Sequence, residues 1–145
     1  MTQSEDPSKK IKALSRDEPA AGRLPCVMVV DDDGAIRLML RTALEKQYAV
    51  VCLSNGEDVL SAIETHSPKL LLLDINLPGS DGYEICAKVR DRAKMKKLPI
   101  LFMTVSKDDA SFLKSLAAGG DALICKPFEM VDLREKIEYL LGRYA

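Results

Sequence analysis

Three carboxylates, a hydroxyl and an ammonium stand directly behind short apolar runs. Asp31 and Asp32 follow Cys26-Val27-Met28-Val29-Val30, Asp74 follows Leu70-Leu71-Leu72-Leu73, Thr104 follows Ile100-Leu101-Phe102-Met103, and Lys126 follows Ala122-Leu123-Ile124-Cys125. Carboxylates brought together repel, and each resists ionisation unless a cation lies among them. Hard oxygen ligands, with water and phosphate filling the remaining positions, suit magnesium better than zinc. The lone His66 and four scattered cysteines supply no softer cluster. A lysine at the same rim neutralises a phosphoryl oxygen as a point charge, and Thr104 adds a hydroxyl donor. With a magnesium ion these groups form a shell for a phosphoryl group, where catalysis is mainly positioning and charge neutralisation. A carboxylate can itself accept that group as an aspartyl-phosphate, and Asp74 is the best candidate nucleophile. Asp33 reads as a helix N-cap, but capping alone does not require three acidic residues at strand ends.

These residues meet only if the runs before them are neighbouring strands. Short, uniformly apolar runs suit strands buried on both faces of a parallel sheet, and such sheets gather ligands outside their carboxyl ends. From Cys26 onward, strand-like runs alternate with segments of helical period, which predicts a doubly wound α/β sheet. The first helix is expected from near Asp33 or Gly34 to near Gln47, with Ile36, Met39, Leu40, Ala43 and Leu44 on one stripe. Strand Ala49–Leu53 leads through Ser54-Asn55-Gly56 to a helix burying Val59, Leu60 and Ile63, and Ser67-Pro68 closes that helix. A polar loop spans Asn76 to Gly82. The helix after it, from about Tyr83, turns Ile85, Cys86 and Val89 inward, with Asp81 and Glu84 as a capping pair. Residues 94–99 then connect to the fourth strand. Ser106-x-x-Asp109 reads as a capping box for the fourth helix, with Phe112, Leu113, Leu116 and Ala117 inward and Gly119-Gly120 at its end. The last helix, from about Met130, buries Leu133, Ile137, Leu140 and Leu141.

Length and charge narrow the function classes. A chain of 145 residues with 47% hydrophobic content suits one domain with its own core. Residues 1–24, rich in Ser, Pro and charged residues, are expected to be a disordered leader, with the domain over 25–145. The formal net charge of −1 provides no basic surplus for a phosphate backbone, so direct nucleic-acid contact is not expected. The absence of a long apolar stretch or a signal-like N-terminus predicts no membrane insertion and a cytoplasmic protein. The cysteines read as reduced thiols in or near the core. Met28, Met39, Met103 and Met130 read as core residues, His66 as a surface or half-buried side chain, and Gly56 and Gly82 as turn geometry.

The motifs Val29-Val30-Asp31-Asp32-Asp33, Leu73-Asp74-Ile75-Asn76-Leu77-Pro78-Gly79-x-Asp81-Gly82, Met103-Thr104 and Lys126-Pro127-Phe128 together resemble the response-regulator receiver domain. The resemblance covers residues 25–142. It implies a flavodoxin-like (βα)5 fold with strand order 2-1-3-4-5 and phosphoryl transfer from a histidine kinase or histidine phosphotransfer protein to Asp74. It further implies direct ligation of magnesium, or of manganese in its place, by Asp32, Asp74 and the backbone carbonyl of Asn76, with Asp31 acting through coordinated water. Thr104 would reorient toward the new phosphoryl group. Lys126 would contact it, with a cis peptide to Pro127. The domain would be a signalling device rather than an enzyme, apart from self-catalysed phosphotransfer and autodephosphorylation. Two positions depart from the pattern. Leu123 replaces the aromatic residue usual three positions before the lysine, where a rotamer switch operates in the family. Val105 is bulkier than the small residue usual after the threonine, and is expected to restrict access to Asp74.

Two other readings compete. Asp31-x-Asp33-Gly34 resembles the opening of haloacid-dehalogenase-like phosphatases, but the order of the remaining acidic and basic residues opposes it. A receiver-like scaffold that binds a partner without phosphorylation would share the fold, although no acidic or lysine position is lost here. If the chain stands alone, with four residues after Leu141, the expected output is protein contact through the surface of the fourth helix, fifth strand and fifth helix, as the resemblance implies; if it is cut from a larger protein, the effector lies in the remaining sequence.

Overall fold

Strands form where apolar residues run without polar interruption, since only positions covered on both faces accept such runs. In the computed structural model, which describes residues 24–106 and 108–143, β1 (Cys26–Val30), β2 (Ala49–Leu53), β3 (Leu70–Asp74), β4 (Ile100–Thr104) and β5 (Ala122–Cys125) form one sheet. Its order is β2-β1-β3-β4-β5 and every pairing is parallel. This is the doubly wound order expected from the resemblance. The chain reverses direction of travel between β1 and β3, so their carboxyl ends flank the crevice where such sheets place ligands. The expected leader lies outside the described residues apart from Leu24, which is exposed.

The helices close both faces. On one side α2 (Val59–His66) and α3 (Gly82–Arg90) cover Met28, Val30, Leu71, Leu73, Ile100 and Phe102. On the other, α1 (Gly34–Leu44) and α5 (Met130–Arg143) cover Val27, Val29, Leu70, Leu72, Leu101 and Met103. Alternation of side chains along each strand divides the core into these two layers. α1 ends at Leu44, before the expected Gln47, because the chain tightens there: Gln47 and Tyr48 N–H both donate to the Leu44 carbonyl. Within α1, Leu40 and Leu44 are fully buried, whereas Met39 is exposed at the edge of the stripe and is no core residue. The expected loop after β3 contains a two-stranded hairpin, Asn76–Leu77 against Ser80–Asp81. A short 3-10 turn, Ala93–Met95, occupies the connection before β4 and buries Met95.

The fourth helix corrects two expectations. α4 (Asp109–Ala117) is capped by Asp108, whose carboxylate accepts from Ser111 N–H at 2.8 Å; Ser106 and Asp109 form no capping box. Its expected inward residues Phe112, Leu113, Leu116 and Ala117 are all exposed, and the small Ser115 alone is buried on this helix. The reason lies in the turn that follows. Gly120 packs so closely on Phe102 that a Cβ there would fall 2.4 Å from the ring, and its N–H bonds the Ser115 carbonyl at 2.9 Å. Such an approach leaves room for a serine beneath the helix and turns the bulkier side chains outward.

Candidate functional site

The carboxyl ends of β1, β3, β4 and β5 bring the expected residues to one rim. Asp31 is fully buried, Asp74 is 4% exposed and Thr104 2% exposed, while Asp32 faces solvent. Lys126 reaches back from the end of β5 so that Nζ donates to Asp31 Oδ2 at 2.7 Å and stands 3.4 Å from Asp74 Oδ2. The other carboxylate oxygens are held by the chain: Asp33 N–H donates to Asp31 Oδ1 at 2.9 Å, and Asn76 N–H to Asp74 Oδ1 at 3.1 Å. The Lys126–Pro127 peptide is cis, with Pro127 exposed.

Charge in this rim is unbalanced. Oxygens of Asp31, Asp32 and Asp74 lie within 4.8 Å of one another, and like charges at that range repel by roughly 3 kcal/mol at an effective dielectric near 20. Burial pushes the Asp74 carboxyl above the ordinary carboxylate range; the Asn76 N–H lowers it, Asp31 raises it further, and Lys126 lowers it. Burial alone would lower the Lys126 ammonium, but its bond to Asp31 and the charges of both carboxylates outweigh that, so its pKa rises. Both partners of one ion pair therefore shift upward. A single ammonium shared between two carboxylates, with its shorter contact to Asp31, does not offset the burial of Asp74. Among the described residues this is the one group of carboxylate, imidazole or thiolate donors close enough together to hold a metal ion. An all-oxygen donor set with surplus negative charge fits a hard divalent cation such as magnesium. A cavity of about 540 Å³ opens beside it, lined in part by Asp32, Asn76, Asp81, Tyr83 and Lys114.

The rim depends on residues that the motifs did not single out for it. Arg37, in the first turns of α1, donates from Nη1 to the Asp31 carbonyl at 2.7 Å. Ser106 N–H donates to Thr104 Oγ1 at 3.1 Å. A basic residue shortly after an acidic pair is too common a pattern to have marked Arg37. Gly82 has a stricter role than turn geometry: a Cβ there would lie 2.7 Å from the Asp74 carbonyl oxygen and from Ile75 Cα. Asp33 is the expected cap, accepting from Ala35 N–H at 2.9 Å. The Asp-x-Asp-Gly opening is thereby accounted for by helix initiation. Asp81 likewise caps α3 through Tyr83 N–H at 2.8 Å. Val105 is 68% exposed just beyond Thr104. Leu123 is partly buried against the core layer containing Phe102. His66 is exposed at the end of α2 and does not belong to the acidic group of the rim.

Comparison with known proteins agrees with this arrangement. Residues 27–138 match the family described as response regulator receiver domain. The chain belongs to that family. It is therefore a signalling domain of two-component response regulators, and receiver domains generally bind magnesium at an acidic pocket. It is 34% identical over 121 residues to the transcriptional regulatory protein AfsQ1 of Streptomyces coelicolor, covering 83% of this chain and 52% of that protein. Among solved structures it is similar to a putative response regulator from Chloroflexus aurantiacus, with TM-score 0.79 and 33% identity over 83% of this chain and 99% of that one. The chemotaxis protein CheY4 of Vibrio cholerae is similar at TM-score 0.77 and 25% identity, over 81% of this chain and 98% of that one. The chain spans about half the length of the curated relatives it matches. Those relatives are named as transcriptional regulators, so the expectation of no nucleic-acid contact gains no support. Among the described residues no helix is long and apolar enough to cross a membrane.

Proposed function

We propose that this receiver domain accepts a phosphoryl group on Asp74 from a phosphohistidine of a histidine kinase or histidine phosphotransfer protein, in a magnesium-dependent reaction in the cytoplasm. One observation carries the reading: a nearly buried carboxylate with a raised pKa lies within 3.4 Å of a lysine and among surplus acidic oxygens. Asp32, Asp74 and the Asn76 carbonyl would hold the metal directly, and Asp31 through water. Bound there, the ion would supply charge neutralisation for the carboxylates and the transferring phosphoryl oxygens. An Asp74 carboxylate oxygen attacks phosphorus, a P–O bond forms as the P–N bond breaks, and the donor imidazole leaves with the bonding electron pair. Lys126, already at the rim, turns its ammonium to the added oxygens. The Thr104 hydroxyl donates to one of them.

Output would pass to a protein target through the surface of α4, β5 and α5, where Phe112, Leu113 and Leu116 stand exposed. Val105 restricts the approach of donors to Asp74, so Val105→Ala speeds labelling by a small donor. The test is intact mass after incubation with acetyl phosphate, with and without magnesium, on wild type and Asp74→Ala. The expected result is a gain of one phosphoryl group that requires both Asp74 and the metal. Absence of any gain, with this donor and with phosphorylated histidine proteins, would leave a binding scaffold instead.

A further inference from the structure

Behind Thr104 a continuous set of polar contacts leaves the rim and ends on an aromatic ring. Ser106 N–H donates to Thr104 Oγ1 at 3.1 Å, and Ser111 Oγ, in the first turn of α4, donates to Ser106 Oγ at 3.0 Å. The Ser111 carbonyl accepts the Tyr83 hydroxyl at 3.3 Å. Tyr83 itself, near the start of α3, has its ring 5.4 Å from that of the fully buried Phe102 and under the Lys114 ammonium at 5.7 Å. A fourth hydrogen bond anchors the loop from the other side, where Cys125 Sγ donates to the Ser106 carbonyl at 3.4 Å.

We propose that Tyr83 and Ser111 are positioning residues for Thr104, and that they tie the first turn of α4 to the phosphorylation state of Asp74. The inference rests on the phosphoacceptor reading above. A hydroxyl oxygen can accept from Ser106 N–H while donating its own hydrogen. When that hydrogen is given to a phosphoryl oxygen, Thr104 is drawn toward Asp74 and residues 105–106 follow. Ser106 then pulls on Ser111 through their hydroxyl bridge, and the first turn of α4 must move with it or release it. Tyr83 opposes the movement, because its hydroxyl holds the Ser111 carbonyl while Phe102 and Lys114 hold its ring. The side chain at position 123 is a leucine, with no polar group to join these contacts.

The experiment compares wild type, Tyr83→Phe, Ser111→Ala and Ser111→Thr after phosphorylation by acetyl phosphate in magnesium. Intact mass gives the phosphoryl stoichiometry, and amide NMR shifts of residues 109–112 are read in the same samples. Wild type is expected to show shifts at these amides on phosphorylation. In Tyr83→Phe and Ser111→Ala they change by roughly two-fold or more at equal stoichiometry. Ser111→Thr, which restores the hydroxyl, returns them to the wild-type pattern, a rescue that a merely structural role for the serine would not require. Identical phosphorylation-induced shifts in all four proteins at equal stoichiometry would overturn the inference. Absence of a phosphoryl gain in wild type would overturn the phosphoacceptor reading and this inference with it.

Discussion

Two partly buried ionic clusters stand among the described residues, and they are built on opposite terms. Around Arg90, one guanidinium meets one carboxylate: Nη2 lies 2.8 Å from Asp121 Oδ2, Nε donates to the Gly119 carbonyl, and Nη1 to those of Met95 and Leu98. Asp121 Oδ2 also accepts Ile100 N–H at 2.8 Å. Opposite charges face each other and the guanidinium makes four hydrogen bonds, so the cluster fastens α3, the start of β4 and the α4–β5 turn into one frame. Around Lys126, one ammonium faces Asp31 and Asp74, with Asp32 beside them. Negative charge is left over, and it is left at the carboxyl ends of the strands. A balanced buried cluster serves the fold, whereas surplus charge held against its own repulsion is poised for a ligand.

The largest effect should come from breaking the balanced cluster. Arg90→Ala takes the guanidinium away from the Asp121 carboxylate and from three carbonyls, and is expected to cost about 3 kcal/mol in urea unfolding. A loss below about 1 kcal/mol would mean that the frame does not depend on this cluster. Next in size is Gly82→Ala, whose methyl would press on the Asp74 carbonyl and Ile75 Cα at 2.7 Å, backbone atoms that cannot rotate away. The expected cost is about 2 kcal/mol, with a loss of phosphoryl acceptance disproportionate to it, since the strain falls on the Asp74 backbone. Gly82→Ala labelling as fast as wild type would separate the rim from its α3 support.

The smallest effect concerns a buried group outside both clusters' ion pairs. Cys86 is fully buried with its thiol bonded to the Ala118 carbonyl at 3.3 Å, and burial pushes its pKa from 9.0 up to about 11. Its thiolate fraction at neutral pH is therefore lower by about 100-fold, and iodoacetamide mapping should find it the slowest of the four cysteines. A folded-state pKa above the unfolded one stabilises the fold below the unfolded value. That contribution is lost as pH rises from about 9 through about 11. Alkylation of Cys86 at the rate of the partly exposed Cys52 or Cys125 would contradict its burial.

How much of this was legible in the sequence differs between strands and helices. Leu70-Leu71-Leu72-Leu73 and Ile100-Leu101-Phe102-Met103 can lie only where both faces are covered, so the sheet and the rim behind it followed from the runs themselves. The order of the strands came from the resemblance. α4 was not legible, because its apolar residues repeat at helical spacing whether they face the core or solvent. What decided their direction was the approach of Gly120 to Phe102, a contact between residues 18 positions apart. Likewise Ser106 and Asp108 are both good caps on local grounds, and the bridge from Ser111 Oγ to Ser106 Oγ leaves Asp108 to take the Ser111 N–H. Arg37 and Tyr83 were missed as partners of the rim because each acts through backbone carbonyls, which leave no pattern in the side-chain sequence.

The surplus charge itself is tested most directly by thermal unfolding of wild type and Asp74→Asn, each with and without magnesium at neutral pH. With its pKa raised, Asp74 stabilises the fold when protonated. That contribution is present below the unfolded carboxylate value and lost as pH rises through the folded one, so the ionised group is a net cost at neutral pH. Without magnesium, Asp74→Asn should be the more stable protein. With magnesium near 100-fold above its dissociation constant, wild type should gain about 2.7 kcal/mol that the variant largely lacks, and the order should reverse. A wild type more stable than Asp74→Asn in the absence of metal, or unmoved by magnesium, would contradict a rim built with charge in excess for a cation and a phosphoryl group.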